Sequence, residues 1–305
     1  MDALLADTAE RIFRDHCDKA LLEAAETGSF PEALWDVFCE TGLHHVGSAA
    51  SGTSLADLFG LLQVAGRHAV PLPLAETLLA NRLCDIDGLA TIATSGVAPW
   101  GRRADAVLHA ETGTVVMDFD HATGTNLAGE PRDRILGGTE RARATDVADV
   151  AELLALSRVA LMSGALSRAL ELAIGYAMER HQFGRPLSKF QAIQHNLAVL
   201  AGETAAAQRA ADGAIEALST PRFADQVAAA KSRVGEAAGI AAEIAHQVHG
   251  AMGFTHEHTL HHFTRRLWAW RDEHGAESLW QARLGRRIAA GGADAVWEFI
   301  TSADR

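Results

Sequence analysis

The feature that most restricts the fold is the helical periodicity of the C-terminal half of the chain. Apolar residues there recur at steps of three and four, which places them on one face of a helix. In one segment these residues are Leu187, Phe190, Ile193, Leu197 and Leu200. Segments of this kind lie near residues 147–181, 187–217, 224–253 and 276–290. Long helices joined by short connections predict an antiparallel four-helix bundle.

The first part of the chain also has a helical pattern. Amphipathic periodicity runs through residues 2–27, through "GSFPEALWDVFCETGL", and on both sides of a turn at Val70–Leu74. We expect Ser29 to cap the helix that carries Pro31 in its first turn, and Gly42 to end that helix.

The sequence pattern is no longer helical from Gly88 to about Ala144. Short runs such as "ADAVLHA" and "GTVVMDFD" are broken by glycine and predict a small β domain. The expected fold is mainly α. It has an N-terminal helical domain at residues 1–86, a reduced β domain at 87–146 and a C-terminal four-helix bundle at 147–305.

Composition excludes several classes of protein. A net charge of −12 argues against a nucleic-acid binder, which needs a basic surface to neutralise phosphates. Cys17, Cys39 and Cys84 show no paired spacing, which favours free thiols in a reducing compartment. No segment reaches the ~20 consecutive apolar residues of a membrane span. We expect a cytoplasmic protein without a membrane span.

One candidate site lies in "YAMERHQFGRPLSKFQAIQHNLAVLAGE", residues 176–203. A long helix is predicted to end at Arg180–Gln182, Gly184 allows the backbone to reverse, and a new helix begins at Pro186. Polar side chains then project around one corner, which is able to hold a diphosphate. They are Arg180, Gln182, Arg185 and Gln191. The alternative is an ordinary helix–turn–helix with solvated arginines, which are common at helix ends.

A second candidate site is "AHQVHGAMGFTHEHTLHHF", residues 245–263, which holds six of the chain's 15 histidines. It is a metal site, a cofactor turn or the packed end of a helix. His258 and His262 lie one helical turn apart, so a shared metal ion is one hypothesis. However, the segment lacks cysteine and the His-Glu-x-x-His spacing of a zinc protease, so we expect no metal.

The stretches "ERHQFGRPLSKFQAIQHNLA" and "QVHGAMGFTHEHTLHHFTRRLWAW" resemble, without gaps, two C-terminal signature regions of the flavin-dependent acyl-CoA dehydrogenases. The predicted order of domains is also that of the family. The resemblance implies FAD as the cofactor and an acyl-CoA thioester as the substrate. In the reaction of this family, the α-proton of the thioester is removed while the β-hydrogen leaves as hydride to flavin N5. It further implies an electron-transfer flavoprotein or similar acceptor.

In this family FAD lies across a subunit interface, and the helix corner of one subunit supports the pyrophosphate and adenosine of its neighbour's flavin. A glycine turn approaches the same cofactor, since glycine has no side chain to block the backbone. The resemblance therefore assigns cofactor binding to Arg180, His181, Gln182, Phe190, Gln191, Gln247, Val248, His249, Gly250 and Ala251. Arg158 matches an arginine that is common near the family's substrate.

The family's usual catalytic base is the Glu of a Glu-Gly pair that follows the glycine turn. Counting without gaps, that position is His274, followed by Gly275. Glu273 precedes it, and a shift of one residue on a helix turns a side chain by ~100°. The alternative family position for the base falls on Ser157, which is not acidic. Glu273 is the first candidate for a base contributed by this chain and His274 the second; the alternative is a base on the partner subunit.

The β region departs from the family in a second way. Full-length members carry a threonine–glutamate–proline segment and a following glycine–serine that hold the flavin ring, and "LATIATSGVAPWGRRADAVLHA" has neither. The chain is therefore similar to the shorter subunit of heteromeric acyl-CoA dehydrogenases that act on sterol or bile-acid side chains. We expect an unlike dehydrogenase subunit as its partner, in an alpha2beta2 heterotetramer. The alternative is a non-catalytic scaffold that stabilises a dehydrogenase without touching its flavin.

Overall fold

Five helices form the N-terminal part of the chain. They are α1 (Ala3–His16), α2 (Lys19–Glu26), α3 (Glu32–Glu40), α4 (Leu55–Arg67) and α5 (Leu74–Cys84). The structure is a computed structural model and describes residues 1–49, 51–84, 86, 88–144 and 147–301. The predicted domain boundaries at residues 87 and 146 lie outside the described residues and stay predictions. Gly42, with a φ of 72°, follows the end of α3 as predicted.

The predicted role of Ser29 as the cap of α3 is wrong. Gly28 has a φ of 95° just after α2, and the N–H of Ser29 donates to the Ala24 carbonyl at 3.0 Å. This arrangement is the Schellman motif that ends a helix. Ser29 therefore belongs to the end of α2, and Pro31 is the residue that precedes α3, which has no side-chain cap.

The middle region contains two small sheets. Its strands are β1 (Ala90–Ala93), β2 (Val97–Pro99), β3 (Ala106–His109), β4 (Thr114–Met117), β5 (Asp120–Ala122), β6 (Arg132–Leu136) and β7 (Thr139–Arg143). One sheet has the order β1-β3-β4-β7 with β1 and β3 parallel, and the other has the order β2-β6-β5. Strands β5 and β7 are exposed along their whole length, so they have no apolar alternation by which the sequence would have revealed them.

The C-terminal region is helical. Its helices are α6 (Val150–Glu179), α7 (Gln191–Glu216), α8 (Phe223–His249), α9 (Leu260–Asp272), α10 (Glu277–Gly291) and α11 (Ala295–Thr301). A two-stranded hairpin, β8 (His181–Gln182) with β9 (Arg185–Pro186), separates α6 from α7. Thr264 of α9 contacts His246 of α8, and Arg287 of α10 pairs with Asp225 near the start of α8. Helices α9 and α10 thus both pack against α8, and together they form the fourth member of the bundle.

Helix α9 was not predicted, because it buries polar side chains. His262, Thr264 and Arg266 are each fully buried, so the apolar period that marks the other helices is missing here. These polar groups find partners inside the protein, as described below.

The bundle packs closely on the N-terminal helices. Helix α4 crosses α6 at two glycines, where a Cβ on Gly66 would clash with the Leu161 carbonyl and one on Gly164 with the Gln63 carbonyl. Within the part of the chain that the structure describes, α6 is the helix long and apolar enough to cross a membrane, and 89% of its apolar window is buried inside the protein. Burial in the core accounts for that composition.

Candidate functional site

The first candidate segment is a tight hairpin that follows α6. Its two loop residues, Phe183 and Gly184, both have positive φ, 52° and 78°. This is the pattern of a type I′ turn, which glycine favours. A short 3₁₀ helix, Leu187–Lys189, then leads into α7. The long helix therefore starts at Gln191, later than the predicted start at Pro186.

The hairpin presents exposed polar side chains. The exposed residues are Arg180, His181, Gln182 and Gln191, and Phe190 is half-buried. Within the described residues, neither Arg180 nor Gln182 makes a side-chain hydrogen bond. The guanidinium of Arg185 lies 4.2 Å from the centre of the Phe190 ring. The first N–H groups of α7 have no side-chain cap, so the positive end of its dipole also faces this corner.

The second candidate segment is the glycine turn, residues 247–254. Helix α8 ends at Gly250, which has a φ of 58° and a ψ of −140°, a conformation that glycine adopts readily. Gln247, Gly250 and Ala251 are exposed. Val248 and His249 are buried and point into the bundle. Backbone near Gly250 is open to a ligand, since nothing lies within 4 Å of a Cβ built on it.

The structure brings the two candidate segments together at one end of the bundle. Helices α6 and α8 end side by side, because the Tyr176 ring stacks on the His249 ring with centres 4.6 Å apart. Arg180 lies one helical turn beyond Tyr176. The arginine corner and the glycine turn therefore form one surface.

His249 lies buried just beneath this surface. Its Nδ1–H donates to the Ala245 carbonyl at 2.7 Å. Burial lowers the pKa of His249 to about 4, so the imidazole is neutral near pH 7. The exposed guanidinium donors and the bare glycine backbone together fit a bound dinucleotide.

Glu273, the first candidate base, is held by other side chains. Arg158 Nε donates to its carboxylate at 2.6 Å, Arg132 Nε at 2.9 Å and Asn126 Nδ2 at 2.9 Å. Burial alone would raise the pKa of Glu273, but the two arginines override it and hold the pKa well below its usual range. A carboxylate held this way is a weak base, so the geometry favours a structural role.

These contacts belong to a larger ion-pair network, which we define as Glu26, Glu76, Glu130, Arg132, Arg158, Arg266 and Glu273. The network joins the N-terminal helices, the β region and the bundle. It lines a cavity of about 30 Å³ between these parts. That volume admits only one or two water molecules, roughly. The space beside the network is therefore too small for a cofactor ring.

Arg158 is fully engaged in this network. Its side chain is buried, and it pairs with Glu76 on one side and with Glu273 on the other. Ser157 donates its hydroxyl to the Leu154 carbonyl at 2.7 Å. Neither residue presents a free group to a substrate in this arrangement, so the assignment of Arg158 to substrate binding stays a prediction.

His274, the second candidate base, lies on a strained backbone. Its φ is 56°, in the left-handed region that glycine favours, and its Nε2 is buried without a partner in the described part of the chain. Burial, reinforced by Arg158, lowers the pKa of His274 to about 3. Lys231 Nζ holds the junction by donating to the carbonyls of Arg271 at 2.6 Å and Gly275 at 2.8 Å. His274 also lines a mainly apolar cavity of about 520 Å³ beside Trp280.

The histidines that suggested a metal have other contacts. His262 Nδ1–H donates to Glu26 at 2.8 Å, and His258 Nδ1 accepts from the Leu260 N–H at 3.1 Å. Among the residues that the structure describes, no three potential ligands are grouped around a common point.

Known proteins match both the sequence and this architecture. Residues 145–294 match the acyl-CoA dehydrogenase C-terminal domain. The acyl-CoA dehydrogenase IpdE2 of Mycobacterium tuberculosis is 29% identical, over 97% of this chain and 97% of that protein. The ChsE4–ChsE5 complex from Mycobacterium tuberculosis has a chain of similar fold, with a TM-score of 0.84 and 20% identity over 93% of this chain and 96% of that one. A variant of the Tcur3481–Tcur3483 steroid ACAD gives a TM-score of 0.84 and 24% identity, over 95% and 98%.

The helices, the small sheets and the bundle define the fold of a flavin-dependent dehydrogenase. The chain belongs to the acyl-CoA dehydrogenase family. Its cofactor is FAD. The exposed arginines and the bare Gly250 backbone fit the nucleotide end of that cofactor.

Two features of the site were missed in the sequence. Tyr176 stands at the start of a motif that was noticed, but its role depends on a contact with His249, 73 positions away, which only the fold supplies. The network residues Glu76 and Arg132 carry no local motif. The run "EPRDR" around Arg132 is a charge cluster inside a β-rich region, and it is a local indication of the ion-pair network in the sequence.

Proposed function

We propose that this chain is one subunit of a heteromeric, FAD-dependent acyl-CoA dehydrogenase that introduces an α,β double bond into a bulky, steroid-type acyl-CoA. Its partner is an unlike dehydrogenase subunit, in an alpha2beta2 heterotetramer. The observation that carries the proposal is the exposed corner of Arg180 and Gln182 beside the open Gly250 backbone, in a chain that has His274 where the family has its catalytic Glu. The corner offers donors for a cofactor, while the chain lacks the carboxylate base at that position.

In this proposal the residues of the chain bind and orient, and the partner performs the chemistry. FAD, when bound, accepts the β-hydrogen as hydride. Arg180 donates forked hydrogen bonds to phosphate oxygens, and Gln182 and Gln191 donate neutral ones. Gly250 lets the backbone approach the cofactor. The partner supplies the base, because Glu273 is ion-paired and His274 is buried and neutral.

The relatives support the choice of partner and substrate class. The ChsE4–ChsE5 structure is a complex of two differently named proteins, and the Tcur3481–Tcur3483 protein is a steroid ACAD. Both have the fold of this chain over nearly its full length. The proposal also includes an electron-transfer flavoprotein as electron acceptor and a cytoplasmic location.

Co-expression with the neighbouring gene tests the proposal. We expect a complex with one FAD for each pair of unlike subunits, measured from the flavin absorbance and the protein concentration. Arg180→Ala is expected to weaken FAD binding about tenfold or more, since a charge-assisted hydrogen bond contributes ~1.5–3 kcal/mol. Arg209→Ala is the control, because Arg209 is exposed on α7 and pairs only with Glu216 in the described structure. Full flavin loading and turnover by this chain alone would contradict the proposal.

A scaffold without flavin contacts is the second candidate function, and the ion-paired Glu273 and the buried His274 favour it. The same measurement separates the two functions. A scaffold keeps the FAD affinity of the complex unchanged when Arg180 and Gln182 are both replaced by alanine.

A further inference from the structure

Three aromatic rings connect the arginine corner with the glycine turn. Tyr176 is the only tyrosine in the chain. Its ring stacks on His249 at 4.6 Å with an interplanar angle of 28°, and His249 meets the edge of His258 at 4.5 Å. The stack therefore joins the last turns of α6, the end of α8 and the residues just before α9.

Each of the two histidine rings makes a hydrogen bond with the backbone. His249 Nδ1–H donates to the Ala245 carbonyl, which anchors this ring to the last turn of α8. His258 Nδ1 accepts the Leu260 N–H at 3.1 Å, which anchors the other ring to the first turn of α9. Rings held by hydrogen bonds cannot rotate away, so the position of Tyr176 is determined by its neighbours.

Among the described residues, no hydrogen bond or ion pair joins residues 180–191 to residues 247–254. The hairpin is tied to its own segment, as in the Leu187 N–H donating to the Arg180 carbonyl at 2.9 Å. The relative placement of corner and turn thus depends on how α6 packs against α8, and the Tyr176 ring is the contact nearest to both segments.

We propose that Tyr176 is a positioning residue, whose ring sets the distance between Arg180 and Gly250 so that both reach the same FAD nucleotide. This inference rests on the proposed function. The ring does the positioning and the hydroxyl does not, because the hydroxyl makes no hydrogen bond within the described chain. The ring packs by area and by offset stacking, which phenylalanine reproduces.

Substitutions in the co-expressed complex test the inference, with the FAD dissociation constant and the melting temperature of the flavin-free complex as readouts. Tyr176→Leu removes the ring and is expected to weaken FAD binding roughly 3- to 10-fold, the equivalent of a lost aromatic pair. Tyr176→Phe is expected to bind FAD as the wild type does. Phe30→Leu is the matched control, because Phe30 is a half-buried ring that meets Trp100 edge to face at 5.1 Å. It is expected to lower the melting temperature without changing FAD affinity.

Two results would overturn the inference. One is wild-type FAD affinity in Tyr176→Leu. The other is equal weakening by Tyr176→Leu and Phe30→Leu, which would mean that loosening anywhere in the fold has the same effect. Arg180→Ala separates this inference from the proposed function. If Arg180→Ala leaves FAD affinity unchanged, the proposed function fails, whereas an effect of Arg180→Ala without one of Tyr176→Leu rejects the positioning role alone.

Discussion

Glu273 shows how a residue next to a family's catalytic position acquires a different role. The family base position falls on His274, and the adjacent carboxylate is bound by two guanidiniums, those of Arg132 and Arg158. Removing a proton from a substrate would require this carboxylate to accept it, and the ion pairs oppose that step because they stabilise the charged form.

Glu273→Gln is expected to lower the free energy of unfolding by about 3 kcal/mol, since it removes one of the two counter-charges of each of two buried guanidiniums, Arg132 and Arg158. Turnover per folded complex is expected to stay unchanged in Glu273→Gln and in His274→Ala. Denaturant unfolding and steady-state kinetics of the complex measure the two effects. Glu140→Gln serves as the control, because Glu140 is an exposed partner of Arg143. A loss of turnover of ~10²–10⁴-fold would instead identify a general base on this chain.

At the scale of elements, the crossing of α4 and α6 depends on the absence of two side chains. Gly164→Ala places a methyl group against the Gln63 carbonyl and forces the helices apart. We expect a loss of stability of roughly 1–3 kcal/mol or more. Gly202→Ala is the matched change on α7, where nothing lies within 4 Å of the added Cβ. It is expected to stabilise the protein by about 0.5–1 kcal/mol. Thermal unfolding of both variants checks the sign, and equal behaviour would contradict the described crossing.

The glycine turn is an element held by neutral imidazoles. Burial lowers the pKa of His246, His258 and His261 below the ordinary 6.5, and that of His249 to about 4. The unfolded chain therefore binds more protons than the folded one between these values, so stability rises with pH there. The stability that these neutral imidazoles contribute is fully present above pH 6.5 and is lost as the pH falls toward 4.

We expect the amide protons of residues 250–259 to exchange faster at pH 5 than at pH 7, after correction for the intrinsic rate. Hydrogen exchange with mass spectrometry measures this. His249→Phe keeps a ring on Tyr176 and removes one titrating group, so its pH dependence is expected to be smaller. Glu26, with its pKa lowered to about 2, titrates in a lower window and does not account for changes above pH 5. Identical corrected exchange at pH 5 and pH 7 would refute the expectation.

Across the whole molecule, the sequence predicted what local patterns encode. The long helices α6, α7 and α8 follow from their apolar periods, and the mainly α acyl-CoA dehydrogenase fold is confirmed. Helix α9 was missed because its buried residues are polar. The network could not be predicted, since Glu76, Arg158 and Glu273 are far apart in the chain and meet only in the folded state. The two motifs of the candidate site were visible as local sequence, but their meeting through Tyr176 was not.

Apolar side chains are exposed to solvent at the hairpin end of the bundle. Phe183 is 91% exposed, Phe254 73% and Met178 61%. Such groups drive self-association when nothing covers them. In the proposed heteromer the partner subunit covers these groups. Under that proposal, a cell that makes this polypeptide in excess over the partner accumulates aggregated chains rather than extra enzyme, and balanced synthesis of the two subunits sets the yield of soluble complex.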